Sequence, residues 1–126
     1  MAIPAKLQNE IKQFQRLQQE LAMLDQQRMQ LEMKLRETLS TLEELKSVPD
    51  DAPIYRPVGG LLVKATGKKE VEDGLTEEKE TLEVRVKGHE RNLNHLRERL
   101  QTMQKELTSS LQAAGVAVDS GGEEAS

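Results

Sequence analysis

Apolar residues recur along this chain at intervals of seven. From Ile3 to Leu45 one row holds Leu7, Phe14, Leu21, Leu35 and Leu42, and a second holds Ile3, Leu17, Leu24, Leu31 and Leu45. These are the a and d rows of a coiled coil. Arg28, Glu10 and Thr38 fill the remaining places, so polar residues interrupt the seam, trading stability for a fixed register. Pro4 suits a first helical turn, and "VPDDAP", with Pro49 and Pro53, cannot continue a helix, which predicts helix one over about residues 4 to 47. A second pattern places Val86, Leu93, Leu100 and Leu107 on one row and Leu75, Leu82, His89, Leu96 and Met103 on the other. Thr76 with Glu77 and Glu78 would cap a helix, yet Val71 and Leu75 already fit the stripe upstream. An antiparallel partner of matching length starts near Lys68 or Lys69 and tolerates Gly74 and Gly88 as weak points.

Between the helical patterns, "IYRPVGGLLVKATG", Ile54 to Gly67, is the part that reads as β-structure. A two-residue Gly59-Gly60 loop sets Val58 against Leu61, Arg56 against Val63 and Ile54 against Ala65. One face is then mostly apolar, while the other carries Tyr55, Pro57, Leu62, Lys64 and Thr66. Two strands alone are marginal in water and their edges invite further strands. Burying Ile54, Val58, Leu61 and Val63 contributes about 1.5–3 kcal/mol each only where another sheet supplies the opposing surface. Other subunits must supply it.

The expected organisation is therefore mainly α with a small β element: a long antiparallel coiled-coil hairpin whose helices are joined by one β-hairpin. Residues 1–48 form the first helix, 49–67 the loop and oligomerisation hairpin, and 68–111 the second helix. "QAAGVAVDSGGEEAS" has no seam to repay the entropy of ordering, so 112–126 reads as a disordered acidic tail.

Composition narrows the function classes. Charged residues make up 32% of the 126 residues and aromatic ones 2%, which leaves little material for a globular interior. A net charge of −4 and two aromatics argue against nucleic acid. No apolar run approaches the roughly 20 residues that span a bilayer, and "MAIPAKLQNE" lacks a signal peptide's apolar core, so the reading is soluble, cytoplasmic and without a membrane partner. With no cysteine there are no disulfides, zinc thiolates or thiol nucleophiles. His89 and His95 fall on different helix faces, and zinc needs three or four convergent ligands. "ATGKKE" fails as a phosphate loop, with Leu62 where glycine is required and Lys69 where Ser or Thr is. Carboxylates on an elongated helix pair are solvated, with no pocket for acid–base work, so neither an enzyme nor a cofactor is expected.

Helix one, "IYRPVGGLLVK" and helix two together resemble the prefoldin β-type family of chaperone subunits, archaeal and eukaryotic, over about Ile3 to Leu111. The specific part is the Tyr-x-x-Val-Gly-x-x-Leu-Val-Lys pattern, matched by Tyr55, Val58, Gly59, Leu62, Val63 and Lys64 after a Pro-containing loop; Gly60 is not part of it. The resemblance implies an α2β4 hexamer with prefoldin α-type subunits and further β copies, hairpins assembled into β-barrels, and coiled coils projecting as tentacles. It further implies ATP-independent holding of unfolded client proteins and their delivery to a group II chaperonin. Ile54, Tyr55, Val58, Gly59, Gly60, Leu61, Leu62 and Val63 would then be the oligomerisation hairpin. Client binding is expected at the free helix ends, where Ile3, Leu7, Ile11, Leu107 and Leu111 offer apolar contacts and terminal turns fray. Met23, Met29 and Met33 lie off the seam, either as an adaptable apolar surface or simply as good helix formers. The competing reading is a structural coiled-coil tether or scaffold without client binding, but a tether needs only a turn between its helices.

Overall fold

A computed structural model describes residues 3–115. The element order is α1 (Ala5–Leu45), β1 (Tyr55–Val58), β2 (Leu61–Lys64) and α2 (Lys68–Ala113). The tail from residue 116 onward lies outside the described residues.

The helix ends follow local chemistry. α1 opens on Pro4, whose carbonyl accepts the Gln8 N–H at 3.0 Å, so the proline occupies a place where its own missing donor costs nothing. The last turn tightens: the N–H groups of Lys46, Ser47 and Val48 donate to the carbonyls of Glu43, Glu44 and Leu45 in turn, a three-residue spacing common at helix ends. Pro49 then blocks continuation. α2 begins at Lys68, its first bond running from the Val71 N–H to the Gly67 carbonyl. Thr76 therefore lies inside the helix, because the apolar stripe through Val71 and Leu75 continues upstream of it. Gly115, with φ 77°, adopts the left-handed conformation that closes many helices.

The chain divides into two compact units. The first joins the segment up to Gln26 to the segment from Arg91. Here Leu17, Leu96 and Leu100 form a buried cluster flanked by Phe14, Leu21, Leu24 and Met103. Leu93 is fully buried. Asp25 meets Arg97 at 3.9 Å, which together with the Leu17–Leu96 packing shows the two helical segments running antiparallel.

The second unit is Gln27–Glu90. Its buried apolar residues are Leu45, Leu82 and Val86, and Lys34 meets Glu78 at 4.0 Å across the antiparallel pair. Thr38 is buried in the seam, but its hydroxyl donates to the Lys34 carbonyl of its own helix at 2.9 Å. It is thus satisfied locally and exerts no directional pull across the seam. Arg28 likewise bonds within α1, to Glu32 at 2.7 Å. Between the helices, β1 and β2 form a two-stranded antiparallel sheet. Its register, Tyr55 to Lys64, Arg56 to Val63, Pro57 to Leu62 and Val58 to Leu61, is the one that a Gly59-Gly60 loop dictates.

Candidate functional site

The hairpin is where this fold departs from ordinary burial. Every residue of β1 and β2 is exposed, although Val58, Leu61, Leu62, Val63 and Tyr55 are among them. Leu61 and Leu62 keep 70% and 73% of their surface in solvent. Because successive strand residues point to opposite faces, Val58, Leu61 and Val63 share one face with Ile54, and Leu62 shares the other with Tyr55. Both faces are thus available for packing. Gly59 has φ 60° and Gly60 has no positive φ, which defines a type II′ turn. Only the first glycine is demanded by geometry, which accounts for Gly60 standing outside the family pattern.

Sequence periodicity gave no sign of the residue that ties this element to the helices. Lys68, at the start of α2, is only 13% exposed at its side chain. Its Nζ donates to the Val48 carbonyl at 2.8 Å and, more weakly, to the Lys46 carbonyl at 3.4 Å. Asp50 and Glu72 lie 3.7 and 3.8 Å from the same ammonium. A cation at the carboxyl end of α1 satisfies acceptors that the helix itself cannot and complements its dipole. The anchored segment, 46–48, leads into the hairpin.

At the other end of the helices the expected apolar set divides by burial. Leu7 and Leu107 are 4% and 8% exposed and close the coil, whereas Ile3, Ile11 and Leu111 are half-buried. Beside them an open groove is lined by Glu10, Gln13, Arg99, Met103, Glu106 and Leu107. Met23, Met29 and Met33 all face solvent. His89 is half-buried with Nδ1 3.1 Å from the Arg85 carbonyl, and His95 is exposed. Among the described residues no group of His, Asp and Glu is placed to hold a metal ion, and no helix is long and apolar enough to cross a membrane.

Comparison with known proteins bears directly on this architecture. The model of a family described as "Prefoldin subunit" matches residues 8–114. The chain belongs to the prefoldin subunit family. It is 44% identical over 109 residues to the prefoldin subunit beta of Archaeoglobus fulgidus, covering 86% of this chain and 93% of the relative. The corresponding Thermococcus kodakarensis protein is 41% identical over 112 residues, covering 89% and 92%. The crystal structure of the prefoldin beta subunit from Thermococcus strain KS-1 superposes with a TM-score of 0.77 at 37% identity, over 87% of this chain and 96% of that one. The match takes in both helices and the hairpin, so the prefoldin pattern of Tyr55, Val58, Gly59, Leu62, Val63 and Lys64 falls on the two exposed strands and their turn.

Proposed function

We propose that this chain is the β-type subunit of a prefoldin hexamer containing two α-type and four β-type chains. The observation that carries the reading is the hairpin, whose aliphatic residues stand in water on both faces of a two-stranded sheet. Such an element is stable when neighbouring hairpins cover it, and a β-barrel platform built from several subunits does so while removing every free strand edge.

The helix ends then hold unfolded polypeptides. Ile3, Ile11 and Leu111 offer apolar surface while the coil is paired, and Leu7 and Leu107 add to it when the last turns fray. Each contact is weak, but several subunits engaging one client raise the effective concentration of the rest. Release follows stepwise loss of contacts, which requires no nucleotide, and the client passes to a group II chaperonin in the cytoplasm.

Native mass spectrometry of the chain alone and mixed with α-type subunits tests the assembly, and a monomer in every mixture rejects it. Replacing Ile11 and Leu111 together by Ser tests the ends. The hexamer mass is expected to stay unchanged while suppression of client aggregation falls. Full suppression by this variant would move the binding surface elsewhere, with the exposed Met23, Met29 and Met33 next in line.

A further inference from the structure

The two outer edges of the hairpin are chemically unequal. The Ala65 N–H donates to the Ile54 carbonyl at 2.8 Å, so that facing pair is a hydrogen-bonded one. Facing pairs alternate along an antiparallel ladder, which makes Arg56–Val63 and Val58–Leu61 bonded pairs and Tyr55–Lys64 and Pro57–Leu62 non-bonded ones. The backbone groups of non-bonded pairs point away from the partner strand. On β2, Leu62 and Lys64 therefore present two complete donor–acceptor sets outward. On β1, Tyr55 presents one set and Pro57 a carbonyl alone, since proline has no N–H. Pro57 lies opposite Leu62, so it breaks no bond within the hairpin and subtracts only from the outer edge.

We infer that the hairpin recruits its neighbour directionally: the outer edge of β2, through the Leu62 and Lys64 backbone, adds a strand from another prefoldin subunit, and Pro57 makes the β1 edge the weaker one. The occupant is a strand because two N–H and C=O sets separated by one inward-facing residue match another strand's ladder spacing and no side-chain ligand. The inference rests on the proposed role of the hairpin in assembly and assigns the order in which its edges are filled.

The test compares assembly midpoints of full-length variants mixed with α-type subunits. Leu62→Pro removes the outward donor while keeping the intra-hairpin ladder, and Leu62→Ala removes only the side chain. Leu62→Pro is expected to raise the midpoint concentration about tenfold or more relative to Leu62→Ala, the cost of leaving a neighbour's carbonyl unmatched. Tyr55→Pro, on the other edge, is expected to cost less. Pro57→Thr adds a donor and is expected to lower the midpoint for a complex of unchanged mass, a gain that misfolding does not mimic. Equal losses from Leu62→Pro and Tyr55→Pro, or no gain from Pro57→Thr, would overturn the directional claim. Val63→Asp separates the two levels: if it abolishes assembly while the edge variants do nothing, the edge inference falls and the assembly role stands. If Val63→Asp also assembles normally, both fall.

Discussion

Replacing Lys68 by Met removes the ammonium while keeping most of the side chain's length and apolar volume. In the native chain the carbonyls of Glu43, Glu44 and Leu45 are met by N–H groups of the closing turn, and those of Lys46 and Val48 by Lys68. The 2.8 Å bond to Val48 involves a charged donor that is largely buried, and such bonds contribute about 1.5–3 kcal/mol. The 3.4 Å contact with Lys46 adds little at that length. The favourable position at a helix carboxyl end adds about 0.3–1 kcal/mol. Asp50 is almost fully exposed and Glu72 nearly half so, and pairs of that kind are screened enough to leave out. The variant therefore loses about 2–4 kcal/mol locally, which corresponds to roughly 30- to 700-fold faster opening of the junction. Hydrogen exchange on residues 46–54 reads this directly, and faster exchange there with little change around Leu93 is expected. Lys68→Arg should recover part of the protection by keeping a cation at the same carbonyls. Exchange within threefold of the parent in Lys68→Met would refute the account and leave Lys68 an incidental contact.

Other consequences follow from burial and backbone geometry. Leu93→Ala should lower stability by about 2–5 kcal/mol in thermal or denaturant unfolding, since Leu93 is 0% exposed and leaves a cavity. Gly59→Ala should destabilise the hairpin by about 1–2 kcal/mol through its left-handed backbone, and Gly60→Ala by much less, with hairpin amide shifts and assembly midpoints as readouts. Gly74→Ala should raise the stability of α2 by about 0.5–1 kcal/mol, because nothing lies within 4 Å of the added methyl group; an unchanged or lower melting temperature contradicts this.

The seam was legible in the sequence because a seven-residue period leaves few ways to pack a helix pair. Leu7, Leu17, Leu45, Leu82, Val86, Leu93, Leu96, Leu100 and Leu107 are all buried, and all lie on the rows read from spacing. The strand register was legible for a similar reason, since a two-residue loop fixes every facing pair. Lys68 was not: its acceptors lie 20 and 22 residues away in sequence, and a lysine at a helix start carries no periodic signature. Thr38 was read correctly as a seam position, but its bond to Lys34 shows a polar residue satisfied within its own helix, which a pattern of positions does not reveal. Among the helix-end residues, Leu7 lies on a seam row and is buried, whereas Ile11 lies on neither row and is half-buried.

The exposed hairpin also bears on supply. Leu61, Leu62 and Val63 form a short aliphatic run ended by Lys64, with Pro57 on the facing strand, the kinds of residue that restrain aggregation-prone segments. A copy synthesised in excess of its companions carries this run uncovered for as long as it stays single. Expression of one subunit alone thus selects for self-association or degradation, and matched synthesis becomes part of the protein's solubility. Until it is covered by a neighbour, the single chain carries contiguous aliphatic surface of the kind that folded proteins bury.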